Sequence, residues 1–201
     1  NHAHDRALQF IVTAFLPEDV PLVSQYVDAF KVASFENRNR ALLTAIGNAA
    51  RGIPRRQIFI SEGLQHGTLH SEAKAALGFQ PWLPNHPEPI ITFHCITSYP
   101  CPPEDATLRF IHGGEGYSDH TGIVFAGGLA VAAGADYLEV HFRLDETAPS
   151  CPDYPHSLTP GDLARYVDFA RMAMRLRGSG VRGAIPCELP NQRYGVGADE
   201  K

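Results

Sequence analysis

The sequence lacks the marks of a membrane, secreted or nucleic-acid-binding protein. No apolar run reaches the about 18 residues that a membrane-crossing helix requires. No cluster of Lys or Arg stands out, and 17 Lys+Arg against 22 Asp+Glu leave a net charge of -5. That balance offers no electrostatic footprint for nucleic acid or an anionic membrane. Cysteine is scarce: Cys95, Cys101, Cys151 and Cys187 are scattered, and none forms a CxxC pair. Four such residues make no disulfide framework and read as buried or half-buried free thiols of a reducing compartment. The opening NHAHDRALQF has no signal-peptide layout, so a cytoplasmic location is expected. It also starts on Asn rather than Met, so further chain is expected upstream.

What is present is an ordinary globular composition, 44% hydrophobic and 19% charged over 201 residues. Ten histidines are the unusual count. His2, His4, His66, His70, His86 and His112 sit in loop-like text and are expected to be solvated, whereas His120 and His141 end apolar runs.

Short β-branched runs alternate with helical stretches. Six runs are legible: 8–15, 28–34, 56–61, 89–98, 115–120 and 136–144. Between them lie a helix carrying Val20, Leu22, Val23 and Tyr26, and a second one after Asn37 with Leu42, Leu43 and Ile46 on one face. A weak helical stretch runs from Ser71 to Leu77, and a small-residue helix lies in GIVFAGGLAVAAGA. The clearest helix covers 160–177, opened by Thr159, Pro160 and Asp162, with a buried stripe expected at Leu163, Tyr166, Val167, Ala170 and Met174. The division is therefore a domain over 1–178 and an irregular tail over 179–201. Near-continuous apolar runs separated by helices imply an α/β fold with a parallel sheet buried on both faces.

In such sheets, polar residues at the C-terminal ends of strands point into the ligand crevice. Here these are Thr13, Lys31, Ser34, Ser61, Thr97, Tyr99, Ser118, His120 and His141. Lys31 reads as an anion or carbonyl partner, a Schiff-base lysine, or one half of an ion pair with Glu36. The serines are hydrogen-bond donors to a phosphate or simple caps. His120 and His141 on neighbouring strand ends are metal ligands or hydrogen-bonded structural histidines. Asp153 completes that site, binds a substrate hydroxyl, or is solvated.

The series FKVAS (30–34), FIS (59–61), HCITSYPCPPED (94–105), YSDHTG (117–122), GADYLEVHFRLDE (134–146) and PDYPHSLTP (152–160) resembles the N-acetylneuraminate (sialic acid) synthase family. The resemblance implies a (β/α)8 TIM-type barrel, here incomplete, with about six units corresponding to strands three to eight. It implies condensation of phosphoenolpyruvate with an N-acetylmannosamine-type aldose to a nine-carbon 2-keto sugar acid, with phosphate released. It places Thr13, Lys31, Ser34, Ser61, Thr97 and Ser118 as substrate-binding residues and Glu36, Tyr99 and Asp153 as catalytic. His120 and His141 would hold a divalent metal, typically Mn²⁺, with Mg²⁺ or Co²⁺ as alternatives. Phosphoenolpyruvate, an amino-sugar aldose and a second copy of the chain are the implied partners. Phe35 stands where Gly is usual, Val140 where many relatives are basic, and the loop before Pro160 is long. The family's first two strands and its C-terminal antifreeze-like domain have no counterpart in this text. Two other readings stand beside it: a barrel remnant with a binding or assembly role, and an aldolase using Lys31.

Overall fold

The computed structural model describes residues 2–51, 57–63, 69–78, 90–178, 180 and 186–190. Six strands form one sheet, all parallel, in sequential order: β1 (Ile11–Thr13), β2 (Ala29–Val32), β3 (Gln57–Ser61), β4 (Ile90–Cys95), β5 (Gly116–Asp119) and β6 (Tyr137–Val140). The helices are α1 (Asp19–Val23), α2 (Arg40–Ala50), α3 (Leu69–Leu77), α4 (Ala126–Ala133) and α5 (Pro160–Arg177). All six expected runs became strands, each shorter than the apolar text, at both ends except in β3, which ends at Ser61 as expected. Most of residues 179–201, together with His66 and His86, lie outside the described residues. No described helix is long and apolar enough to cross a membrane.

The sheet is curled. Neighbouring strands lie about 4.8 Å apart, so β2 and β6, four steps apart, would be separated by about 19 Å in a flat sheet. Yet Lys31 Nζ on β2 stands 3.2 Å from Glu139 Oε1 on β6. The Phe59 and Tyr137 rings, on β3 and β6, are centred 6.1 Å apart. Alternate residues of each strand therefore converge on one interior: Ala29, Phe59, Ile91 and Phe93 below, and the polar strand ends above. The opposite faces of the strands pack under the helices. Val32, Ile58 and Ile60 meet Leu42, Leu43 and Ile46 of α2 in the largest cluster. Each fully buried Val or Ile there contributes about 1.5–3 kcal/mol.

The 160–177 helix has the expected limits because its start is chemically specified. Thr159 accepts from the Asp162 amide at 3.2 Å, and its hydroxyl donates to the Asp162 carboxylate at 2.8 Å. The small residues of α4 serve close packing. A Cβ at Gly127 would strike the Tyr166 ring, so α5 approaches α4 only over glycine.

Several expectations are corrected. In the α5 stripe Tyr166 is buried, but Leu163, Val167 and Ala170 are half-covered and Met174 is 68% exposed. α5 packs chiefly against α4, and Leu163, Val167, Ala170 and Met174 face an open cavity beside Leu138 and Val140 of β6. α1 is one turn, with Val20 buried and Leu22 and Tyr26 exposed. Leu22 sits about 200° round the helix from Val20 and cannot share its face. The helix expected after Asn37 starts at Arg40, with Asn39 as its cap, accepting from the Leu42 amide. Asn37 instead donates to the Ser61 carbonyl at 3.0 Å, tying the loop after β2 to the end of β3. All four thiols are free, but Cys151 and Cys187 are exposed rather than buried. His2, His4 and His112 are exposed as expected, with His4 bonded to Asp28.

Candidate functional site

The sheet gathers most of the polar strand ends at its C-terminal edge, in two adjoining groups. The first surrounds Lys31. Its head is paired with Glu139, not with Glu36 as one reading of the sequence had it. The physical reason is the curl: Glu36 lies on its own loop, accepting from the Asn39 side chain at 2.8 Å, while Glu139 faces Lys31 across the interior. Glu139 is the site residue sequence reasoning missed here. Its signal was the alternation Tyr137, Glu139, His141, which places all three on the inner face of β6.

Around this pair the hydroxyls of Ser34, Ser61 and Thr97 are buried without a hydrogen-bond partner among the described residues, as is Glu139 Oε2. The Ser34 hydroxyl lies close enough to the Tyr99 phenol and the Cys95 thiol to favour their ionised forms slightly, but in no geometry that makes a good hydrogen bond. Burial pushes both the Cys95 thiol and the Tyr99 phenol up. A Cβ at Gly63 would fill this cradle, colliding with the Thr97 hydroxyl and lying 2.9 Å from Cys95 Sγ. Buried polar groups are nearly always satisfied, so three orphan hydroxyls beside an ammonium form a donor set with capacity to spare for a bound group. Thr13, in register with Lys31 at the end of β1, shares its face of the sheet.

The second group is aromatic and imidazole-rich. His120 follows β5 and His141 follows β6, and their rings are centred 5.3 Å apart. His120 Nδ1 donates to the Ile96 carbonyl at 2.7 Å, since a carbonyl only accepts. Its Nε2 therefore carries the lone pair, 3.2 Å from the Ser118 hydroxyl, which links the two groups. Burial holds the His120 imidazole below its usual range, keeping the neutral, ligating form. Asp119 anchors this strand end from behind, accepting from the Thr121 amide at 2.8 Å, the Thr121 hydroxyl at 2.7 Å and the Tyr166 phenol at 3.0 Å.

Tyr99 covers the imidazoles, its ring 4.3 Å from that of His120, and Phe35 stacks on its outer side. Asp153 Oδ2 lies 3.5 Å from His141 Nδ1. A histidine the sequence reading passed over, His156, completes the group with its ring 4.4 Å from that of His141. His141, Asp153 and His156 each offer one donor atom, all within 4.8 Å of one another, which suits a divalent cation. The available signal was the D-x-x-H spacing on a 3-10 turn, where residues three apart eclipse. Of the residues expected at the site, Glu36 alone makes its only described side-chain hydrogen bond within its own loop.

The family model described as the NeuB family matches residues 1–182. The chain belongs to the NeuB family. Among its relatives, N-acetylneuraminate-9-phosphate synthase of Mus musculus is 35% identical over 179 residues, covering 84% of this chain and 46% of that protein. N,N'-diacetyllegionaminic acid synthase of Campylobacter jejuni is 29% identical over 198 residues, covering 94% of this chain and 57% of that one. A solved N-acetylneuraminic acid (sialic acid) synthetase from Leptospira borgpetersenii superposes with a TM-score of 0.82 at 25% identity, over 96% of this chain and 66% of that chain. A truncated 3-deoxy-D-arabino-heptulosonate 7-phosphate synthase from Thermotoga maritima shares the fold, with a TM-score of 0.63 at 17% identity over 87% of this chain and 69% of that chain. The chain spans about half the length of the curated relatives it matches. The family resemblance in the strand-end motifs is thus borne out, as is the partial, parallel barrel-type sheet.

Proposed function

We propose that this NeuB-family chain forms strands three to eight of a (β/α)8 barrel that condenses phosphoenolpyruvate with an N-acetylmannosamine-type aldose. The product is a nine-carbon 2-keto sugar acid and the by-product is phosphate. The observation that carries this reading is the orphan-hydroxyl cradle around Lys31 abutting a histidine cluster, in a chain whose relatives are named as sugar-acid synthases.

Lys31 and the hydroxyls of Ser34, Ser61, Thr97 and Ser118 bind the phosphate and carboxylate of phosphoenolpyruvate, with Thr13 beside them. Glu139 holds the Lys31 ammonium in place while substrate is absent. The aldose carbonyl is presented to His120 and His141, beneath Tyr99. These histidines would hold a divalent ion, Mn²⁺ in the first instance, which would supply Lewis-acid polarisation of that carbonyl. Carbon 3 of phosphoenolpyruvate then bonds to the aldehyde carbon, whose oxygen takes a proton from water beside Asp153. Water adds at carbon 2, and phosphate leaves with its bridging oxygen. Glu36 reaches the sugar from the rim. Phosphoenolpyruvate being a cytoplasmic metabolite, the reaction is assigned to that compartment, with a homodimer as the assembly.

The test is phosphate release from phosphoenolpyruvate plus N-acetylmannosamine with Mn²⁺, on this chain and on the protein extended upstream. Release by the extended protein that is lost in His120→Ala and His141→Ala is the expected result. No release with any N-acetylhexosamine would reject the synthase reading in favour of a binding role.

A further inference from the structure

His156 stands apart from every other polar group of the second cluster. Its side chain is 0% exposed, and neither ring nitrogen has a hydrogen-bond partner among the described residues. Burying an imidazole with both nitrogens unsatisfied costs several kcal/mol unless something else engages it. Asp153 Oδ1 is its nearest charged neighbour, but 3.6 Å is too long for a hydrogen bond.

The chain goes to some length to hold it there. The Leu158 amide donates to the His141 carbonyl at 2.8 Å, and the Arg143 amide to the Leu158 carbonyl at 3.0 Å, stapling the loop after β6 back along that strand. The Ser157 hydroxyl donates to the Asp153 carbonyl at 2.7 Å, closing the 3-10 turn that carries Tyr154–His156. Asp153 and His156 therefore face the same way, toward His141.

We propose that His156 is a ligand of the divalent ion, joining His141 and Asp153 as two imidazoles and one carboxylate on one side of the metal. This rests on the metal-dependent reading above and extends it: the cation would be held by more than the two strand-end histidines. Such a set leaves further positions for His120 and for substrate oxygen. It also accounts for one of the two orphan nitrogens, the one whose lone pair would face the cation.

The experiment is a Mn²⁺ titration, followed by electron paramagnetic resonance of the free ion, on the whole protein that carries this chain. His156→Gln is expected to weaken Mn²⁺ binding about tenfold or more, since even disturbing an outer partner of a ligand costs that much. His156→Cys, loaded with Co²⁺, is expected to show a thiolate-to-cobalt charge-transfer absorption that the unaltered protein lacks. This spectroscopic signature does not depend on activity and survives a moderate loss of stability. Unchanged Mn²⁺ affinity in His156→Gln together with no charge-transfer band in His156→Cys overturns the proposal. If His141→Ala still abolishes binding in that case, the two-histidine site stands without His156. His156-dependent metal binding without phosphate release would sustain the ligand assignment and reject the synthase reading. A protein that binds neither Mn²⁺ nor Co²⁺ overturns both.

Discussion

Breaking the Lys31–Glu139 pair tests the curl of the sheet and the anion site together. At 3.2 Å and an effective dielectric constant of about 20, the two charges attract by about 5 kcal/mol. Desolvation offsets most of this, because the Lys31 side chain is only 15% exposed and that of Glu139 31%. Lys31→Met leaves a partly buried carboxylate without its counter-ion and with Oε2 already unpartnered, and is expected to cost about 2–4 kcal/mol. Glu139→Gln strands the ammonium and is expected to cost about 1–3 kcal/mol. The double variant removes both charges and is expected to lose clearly less than the sum, a coupling of about 1–3 kcal/mol. Urea unfolding of all four proteins measures it, and at this size each kcal/mol moves Tm by about 2–4 °C. In a flat sheet the groups would be about 19 Å apart, and the coupling would fall to about 0.2 kcal/mol in water. Additive losses would therefore refute the curled interior, and with it the assignment of Lys31 and Glu139 to one site.

Ser61→Ala is expected to leave Tm unchanged or slightly raised, since its hydroxyl is buried and unpartnered, while raising KM for phosphoenolpyruvate; thermal melts and phosphate-release kinetics read the two effects, and a clear loss of stability would mean the hydroxyl has a structural role. Tyr166→Phe removes the phenol that Asp119 accepts from at 3.0 Å and is expected to cost about 1.5–3 kcal/mol in urea unfolding; a cost under about 0.5 kcal/mol would show that the two Thr121 bonds suffice to hold Asp119.

The family motifs and the strand-end alternation made most of the candidate site legible. Lys31, Ser34, Ser61, Thr97, Ser118, His120 and His141 each follow or end an apolar run, and the pleat sends alternate residues to one face. The partners of these residues were not legible. Glu36 is five positions from Lys31 and looked like its counter-ion, whereas the actual one lies 108 positions away on β6. The α5 stripe was misjudged for a related reason: helical period says which residues share a face, not whether anything packs against it.

The sequence by itself determined the order of strands and helices, the start of α5 at Thr159, the small-residue character of α4, and the family. These follow from local causes: side-chain periodicity, capping chemistry, the absence of a Cβ, and motif text. Only the tertiary structure decided that Lys31 pairs with Glu139, that three hydroxyls around them lack partners, and that His156 is buried against His141 and Asp153. The reason is geometric. Curling a parallel sheet brings together residues from strands that never share a hydrogen bond. A loop stapled along β6 sets the depth of a side chain that no spacing encodes.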